Sequence, residues 1–437
     1  MLDLNFVREN AELVKKGAAA KKSSVDVDAL LRVDEKRRGL IGSLQEKRAA
    51  QNVAGERIAK ETDAEAKGKA VEEMRTLKDS MKELETELAS VETELEAMMK
   101  ALPNVPSEDT PVGPDESGNV VIRTVGEPTK FDFEPKDHVA LGEALGLIDN
   151  ETASEVTGAR FTYLKGDLAL LQNALYQLTL SVLTSSEKLA AIAKDAGVTA
   201  PSTPFIPVVP PLMIKPSTFE RMARLEPRDE RYHIPSDDLY LIGSAEHTLG
   251  PIHMDETFKE ADMPRRYFAF TPAFRREAGS YGKDTKGILR LHQFDKIEME
   301  SFSLPEQSLA EQGLFVAIQE YLLKTLGVPY QVMQICTGDM GGPDARQIDI
   351  ECWMPGQNKY RETHTADLMT DYQARRLNTR VRRDSGEMQF VHMNDATCIA
   401  MGRLLIALIE NFQEADGTVR IPEALRPWMG GKTHIGR

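Results

Sequence analysis

The sequence predicts an α+β protein in two parts. An N-terminal antiparallel helical coiled-coil arm spans residues 1–102, and a domain over residues 103–437 is built on an antiparallel β-sheet with flanking helices. Three observations carry this. Apolar residues from Met74 to Leu102 alternate three- and four-residue spacings without a break. Prolines and glycines then cluster at Pro103, Pro106, Pro111, Gly113, Pro114 and Gly118. Beyond them, short strand-like runs follow one another closely, a pattern that suits antiparallel pairing with helices packed on the sheet.

The arm comes first. Met74, Leu77, Met81, Leu84, Leu88, Val91, Leu95, Met98 and Leu102 form a heptad seam, separated mostly by Glu, Lys, Asp, Ser and Thr. Upstream, Leu30, Val33, Leu40, Ile41 and Leu44 make a looser stripe. The stretch from Gly55 to Gly68 has few large apolar residues and suits the tip between two helices. The proline cluster ends the arm and forms a linker. Residues 1–60 hold 13 basic and 9 acidic residues, whereas residues 61–102 hold 6 and 12. The first long helix carries Arg32, Lys36, Arg37, Arg38, Lys47, Arg48 and Arg57. Such a run is most often the solvated face of a coiled coil. It would also suit a surface tracking RNA phosphates. The arm alone leaves both readings open.

Composition sets the bounds. The 437 residues include 54 Lys and Arg against 69 Asp and Glu, a formal charge of −15. This length allows two or three domains. No apolar run approaches the ~18–20 residues of a membrane span, and Leu404–Ile409 is the densest stretch. The opening MLDLNFVREN carries charges where a secretory signal needs an apolar stretch. Cys336, Cys352 and Cys398 form no CxxC pair, so neither a disulfide framework nor a structural zinc site is supported. These features point to the reducing cytosol, a cytoplasmic location. The acidic total argues against a DNA-coating protein.

In the second part, strand-like runs are expected at Arg160–Leu164, Arg266–Phe270, Ile288–Phe294, Lys296–Phe302, Gln347–Trp353 and Gln389–His392. Helices are expected near Leu168–Ala193, Leu304–Leu326 and Cys398–Phe412. No GxGxxG follows a strand and no GxxxxGK[ST] occurs, so a dinucleotide fold and a P-loop are both unsupported.

The most informative stretch is Phe274–Glu300, FRREAGSYGKDTKGILRLHQFDKIEME. Arg275-Arg276-Glu277 follows the strand-like Tyr267–Thr271, and a loop with Gly279, Gly282 and Gly287 precedes the alternating Ile288, Arg290, His292 and Phe294. In a strand, Arg275 and Glu277 would share a face. A guanidinium beside a carboxylate can grip a phosphate with one and a base amino group with the other. An isolated RxE would more often be an incidental ion pair on a surface hairpin.

The whole block resembles motif 2 of class II aminoacyl-tRNA synthetases, and within them the seryl-tRNA synthetase family. The resemblance runs along essentially the whole chain: GARFTYLKG (Gly158–Gly166), IPVVPPLM (Ile206–Met213) as motif 1, LIGSAE (Leu241–Glu246) and CTGDMGG (Cys336–Gly342). It continues through MPGQNKYRE (Met354–Glu362), DYQARRLNTR (Asp371–Arg380), AMGRLLIALIENFQ (Ala400–Gln413) as motif 3 and IPEALRPWMGG (Ile421–Gly431).

The resemblance implies a class II catalytic domain with motifs 1, 2 and 3, using ATP and Mg²⁺. It implies that Arg275 bridges the α-phosphate and the amino-acid carboxylate, with Arg276 beside it in the ATP site. Glu277 would accept from the adenine amino group and Phe294 would stack on the ring. Arg403 would hold the γ-phosphate, since a lone Arg in an apolar helix needs an anion. Glu362 would ligate Mg²⁺, with Thr363, His364 and Thr365 near the nucleotide. The serine site would comprise Ser244, Ala245 and Glu246 on a substrate-binding strand, with Arg275, Glu298, Asp395 and Thr397. Three departures cluster there: Ser244 stands at a usual Thr, Asp395 at a usual Asn, and Thr363–Asp367 replaces a differently composed segment. His247 and His253 lack the spacing of a metal pair.

The activity so implied is ATP-dependent formation of seryl-adenylate from L-serine, then transfer to the 3′ end of tRNA(Ser), and of tRNA(Sec) where it exists. The family forms homodimers, and Arg37, Arg38, Lys47 and Arg48 would belong to its tRNA arm. Two rivals are a ligase that loads an amino acid onto a carrier protein and a catalytically silent RNA-binding paralogue. The first lacks the arm that this chain keeps. The second would be expected to lose Arg275, Glu277, Glu362 or Arg403, and all four are present.

Overall fold

The structure is a computed structural model describing residues 1–278 and 287–436. Gly279 and Gly282 of the expected motif 2 loop lie outside the described residues. The chain divides into two compact units, Met1–Val105 and Pro106–Arg437.

The first unit opens with short helices Leu4–Glu9 and Ala11–Ala20, followed by two long ones, Val27–Lys60 and Ala64–Ala101. Asp26 and Asp63 begin the long helices by accepting backbone N–H groups of Ala29 and Glu65. The reversal falls at Glu61–Asp63, inside the expected tip. There the Glu61 carboxylate accepts the N–H groups of Thr62 and Asp63 at 2.9 and 3.0 Å. Along the second helix, Val91 and Leu95 are buried and Met74, Leu77, Met81, Leu84 and Leu88 are half-buried. A two-helix pair hides one stripe of each helix, which is the seam.

The basic residues of the first long helix engage acids of the second. Lys36 meets Glu87 at 2.7 Å, Arg37 meets Glu92 at 3.3 Å and Arg48 meets Glu85 at 3.0 Å. Arg38 turns instead to Asp34, which is fully buried and also takes Arg8 at 2.6 Å. The exposed cross-helix pairs contribute at most about 1 kcal/mol each, so these cations remain exchangeable for other anions.

The second unit is organised by an eight-stranded sheet. Its spatial order is Val120–Val125, Tyr330–Gln334, Arg346–Met354, Lys359–Leu368, His392–Ala400, Gln293–Ser303, Arg265–Phe274 and Ile206–Pro207. Every neighbouring pair is antiparallel except the last, where Ile206–Pro207 runs parallel to Tyr267–Phe268. Alternation divides the central strands between two faces. Ile297, Met299, Ala366, Ala396 and Cys398 enter one large hydrophobic cluster with helices Ser308–Leu326 and Met401–Asn411. Glu298, Glu300, Thr365, Asp367, Asp395 and Thr397 take the other face.

Several expected boundaries move. Only Tyr163–Leu164 of Arg160–Leu164 is strand, and Arg160 itself has φ +62°. Ile288–His292 is irregular and the strand begins at Gln293. Ile288, Leu289 and Leu291 all join the core there, so their spacing does not alternate between faces. Leu168–Ala193 is two helices, Gly166–Leu183 and Ser186–Asp195, the second capped by Ser185. Cys398–Ala400 completes a strand before the helix starts at Met401. Met388–Phe390 is a short strand of a separate sheet from His392–Ala400. Among the described residues, no helix is long and apolar enough to cross a membrane.

Candidate active site

The polar face of the central strands floors a cleft. Cross-strand register sets its rows. Glu298 lies opposite Thr397, which lies opposite Thr365. In the next row Glu300 faces Asp395, which faces Asp367.

Two β-bulges decide what else reaches the cleft. Between Ile297 and Glu298 the register skips Cys398 on the facing strand, so Ala400 joins the cleft side opposite Lys296. Between Ile350 and Glu351 it skips Thr363, and Glu362 therefore reaches the same cleft as Thr365. A bulge adds one residue and so reverses the facing of the residues beyond it. The helix beginning at Met401 then presents Gly402 and Arg403 at the cleft wall. A side chain at Gly402 would come within 2.9 Å of the Ile288 carbonyl oxygen, so this close approach needs glycine.

At this end Arg275 continues the hairpin just past the strand, its N–H donating to the His292 carbonyl at 3.0 Å. Its guanidinium donates to the Gly243 carbonyl at 3.0 Å and lies 5.5 Å from the Phe294 ring centroid. Glu277 sits outside any strand with φ +54°, so the expected strand geometry for the Arg275/Glu277 pair is corrected. Both nonetheless line the cleft. Arg290 holds Glu277 at 2.6 Å.

Arg403 is not the lone buried cation expected from its apolar helix. Its side chain is 26% exposed, and one nitrogen lies 3.0 Å from both the carboxylate and the backbone carbonyl of Glu362. Arg403 in turn holds the Glu362 carboxyl below its ordinary range. Glu362 also stands directly opposite Glu351. Asp349, opposite Thr365, is pushed well up by burial and by the Glu362 charge.

At the other end Lys296 bridges Glu298 at 2.6 Å and the Thr397 hydroxyl at 3.0 Å. Burial pushes Glu298 up to about 7 against the pull of Lys296. Glu246 stays well below its ordinary range despite burial, because Arg224 and His247 favour its charge. Burial holds His247 down at about 4. Arg224 meets Asp395 at 3.1 Å and Glu246 at 3.3 Å.

Four expected site residues stand elsewhere. Ser244 is buried in the turn before helix Glu246–Leu249, not on a strand, and its hydroxyl has no hydrogen-bond partner among the described residues. Ala245 packs into a hydrophobic cluster with Leu249 and Phe302. His364 alternates away from the cleft; its Nδ1 meets the Thr363 hydroxyl at 2.7 Å, and burial lowers it to about 3. Arg276 is exposed, donating to the Arg231 carbonyl at 3.1 Å and stacking 4.9 Å from the Tyr232 ring. Sequence reasoning missed Lys296, Arg290, Glu300 and Arg224. Lys296 and Glu300 share the period of two that exposes Phe294 and Glu298, and that signal could have found them. Arg224 has no local signal.

The family profile "tRNA synthetase class II core domain (G, H, P, S and T)" matches residues 230–412. The sheet and its cleft are those of a class II aminoacyl-tRNA synthetase. The profile "Seryl-tRNA synthetase N-terminal domain" matches residues 1–106. The chain is 39% identical to the serine–tRNA ligase of Citrifermentans bemidjiense over 437 residues, covering 100% of both, and 40% identical to that of Brucella abortus over 439 residues, covering 100% of this chain and 99% of the other. The crystal structure of seryl-tRNA synthetase from Pyrococcus horikoshii complexed with ATP superposes with a TM-score of 0.91 at 35% identity, covering 100% of this chain and 99% of that one. The chain belongs to the seryl-tRNA synthetase family.

Proposed function

We propose that this chain is a serine–tRNA ligase. It activates L-serine with ATP to seryl-adenylate and pyrophosphate, then transfers the seryl group to tRNA(Ser), and to tRNA(Sec) where that exists. The observation that carries this is one cleft with two chemically distinct ends. Arg275, Glu277, Phe294 and Arg403 gather at one, and Glu246, Glu298, Asp395 and Thr397 at the other.

In this reading the first end takes ATP. Phe294 offers an apolar face to adenine and Glu277 accepts from its amino group. Arg275 and Arg403 neutralise phosphate charge, and the N-terminus of the Met401–Asn411 helix adds its partial positive charge. Glu298 receives the ammonium group, which sets the serine carboxylate beside Arg275. Reaction then rests on positioning and charge neutralisation, with the carboxylate attacking the α-phosphorus and pyrophosphate leaving. Mg²⁺ fits at Glu362, an oxygen ligand at the phosphate end and opposite a second carboxylate. When bound, the ion would offset charge on the phosphates. The arm serves tRNA, its basic residues meeting the backbone, and the working form is a cytoplasmic homodimer.

The test is charging of tRNA(Ser) with labelled serine by the pure protein. Ester formation that depends on ATP, serine and this tRNA supports the reading. Serine transfer to a carrier protein instead of tRNA overturns it.

A further inference from the structure

The serine end of the cleft holds more carboxyl groups than binding one ammonium group requires. Glu300, Asp395 and Asp367 stand side by side on three adjacent strands in direct register. All three are buried. Like charges directly opposite one another destabilise a sheet. Glu246 and Asp344 close on the same space, each within 4 Å of the Arg224 guanidinium.

Arg224 answers this crowding of acids. It meets Asp395 at 3.1 Å, Glu246 at 3.3 Å, Asp344 at 3.6 Å and Asp367 at 3.9 Å. These carboxylates come from four separate segments of the chain. The backbone of Arg224 is itself held, because Arg231 donates to its carbonyl oxygen through Nε at 3.1 Å and Nη2 at 2.7 Å. Lys296 engages Glu298 in the same cleft at 2.6 Å. Glu246, Glu298 and Asp395 present ligand atoms close enough together for a metal ion. Two cations of the chain already occupy that role, so the carboxylates need no metal to explain them.

We propose that Arg224 is a positioning and specificity-determining residue of the amino-acid pocket, holding Asp395 and Glu246 in the arrangement that receives a small hydroxyl-bearing amino acid. This rests on the serine–tRNA ligase reading. Burial, then the Glu246 charge, pushes Asp395 well up, and the Arg224 guanidinium at 3.1 Å works against this by favouring its carboxylate. A carboxylate only accepts, whereas an amide also donates. Asp395 accepts from Arg224 at 3.1 Å and can accept from the serine hydroxyl, whereas an amide in its place could itself donate to Glu246. An arginine supplies a rigid fork that spans several carboxylates, whereas a lysine is a point charge. The aspartate at position 395 and the arginine at position 224 therefore form one device. A neutral amide at position 395 would need the arginine less.

The experiment is ATP–pyrophosphate exchange with serine by the full-length protein and by Arg224→Lys, Arg224→Met, Asp395→Asn and the double variant Arg224→Met/Asp395→Asn. Arg224→Met should raise KM for serine about tenfold or more while KM for ATP changes less than about twofold. Arg224→Lys should recover part of the loss. Adding Asp395→Asn to Arg224→Met should bring KM for serine back toward that of Asp395→Asn alone. Exchange with alanine relative to serine should rise in Arg224→Met and fall again in the double variant. Thermal unfolding accompanies each measurement. If Arg224→Met does not fold, the comparison falls to Arg224→Lys, whose KM for serine should rise with that for ATP unchanged. An unaltered serine KM in the folded arginine variants overturns the proposal, as do equal changes in both KM values or a strictly additive double variant. Absence of serine-dependent exchange by the unsubstituted protein is a different failure, because it removes the ligase reading itself.

Discussion

Arg403 and Glu362 close on each other at the wall of the cleft, with one guanidinium nitrogen 3.0 Å from the carboxylate oxygen. In the proposed reaction both serve phosphate, one directly and one through a cation. Their mutual pairing keeps two charged side chains together until the nucleotide arrives. ATP must then compete with Glu362 for Arg403.

Arg403→Ala should therefore lower the rate of adenylate formation by about 10²–10³, as loss of one preorganised donor to a developing charge does. Arg403→Lys should recover only part, since the bidentate fork is lost. Pyrophosphate exchange kinetics check this. Near-normal exchange by Arg403→Ala would remove the arginine from the mechanism.

Glu298 gives a pH signature. Burial raises it to about 7 in the free protein. Below that pH the carboxyl is increasingly neutral and attracts an ammonium group poorly. The kcat/KM for serine, which reports groups of the free enzyme, should fall as pH drops through about 7. The folded state also holds this proton more tightly than the unfolded chain does. Its contribution to stability therefore declines as pH rises from the ordinary glutamate range to about 7. A serine kcat/KM that stays level well below pH 7 would exclude Glu298 as the ammonium site.

Glu277 and Arg290 supply a prediction about ATP. Arg290 holds the Glu277 carboxylate at 2.6 Å, at a residue with φ +54°. Arg290→Ala should raise KM for ATP severalfold, with KM for serine nearly unchanged, by freeing the group that accepts from adenine. Initial rates at varied ATP and serine test this. An ATP KM equal to that of the unsubstituted protein would mean that Arg290 does not orient Glu277.

The arm should serve tRNA and leave adenylate chemistry alone. Protein starting at Pro106 should form adenylate and charge tRNA poorly. Reversing charge at Arg37, Arg38 and Lys47 should weaken tRNA binding and reduce its salt dependence. Arg37 already pairs with Glu92 and Arg38 with Asp34. Thermal unfolding must therefore accompany the binding titration, and Lys47→Glu is the cleanest single change. Full tRNA charging by the shortened protein would refute this role.

The arm was legible from the sequence because a long helix repeats its burial pattern: the seam from Met74 to Leu95 is the less exposed stripe of its helix. The cleft lining by Arg275, Glu277, Phe294 and Arg403 was legible through motif residues. Thr365, Asp395 and Thr397 also fell on the correct face. Hidden from the sequence was what depends on register. Glu362 reaches the cleft only because a bulge skips Thr363. One residue further on, His364 was expected beside ATP and turns into the core. Arg224 reaches four carboxylates from segments distant in the chain, and no spacing rule announces such a meeting. Asp395 and the changed segment ending at Asp367 stood out singly as departures. Their cross-strand register makes them one feature.

The most direct test is ATP–pyrophosphate exchange by the full-length protein with each standard amino acid in turn at equal concentration. Serine should lead. Threonine should come second as the main error, because an extra methyl is excluded only by shape. Alanine should trail, since it leaves buried hydrogen-bonding groups of the pocket unpaired, at a cost of about 1–3 kcal/mol for each. Exchange led clearly by another amino acid, or no exchange with any, would contradict the account.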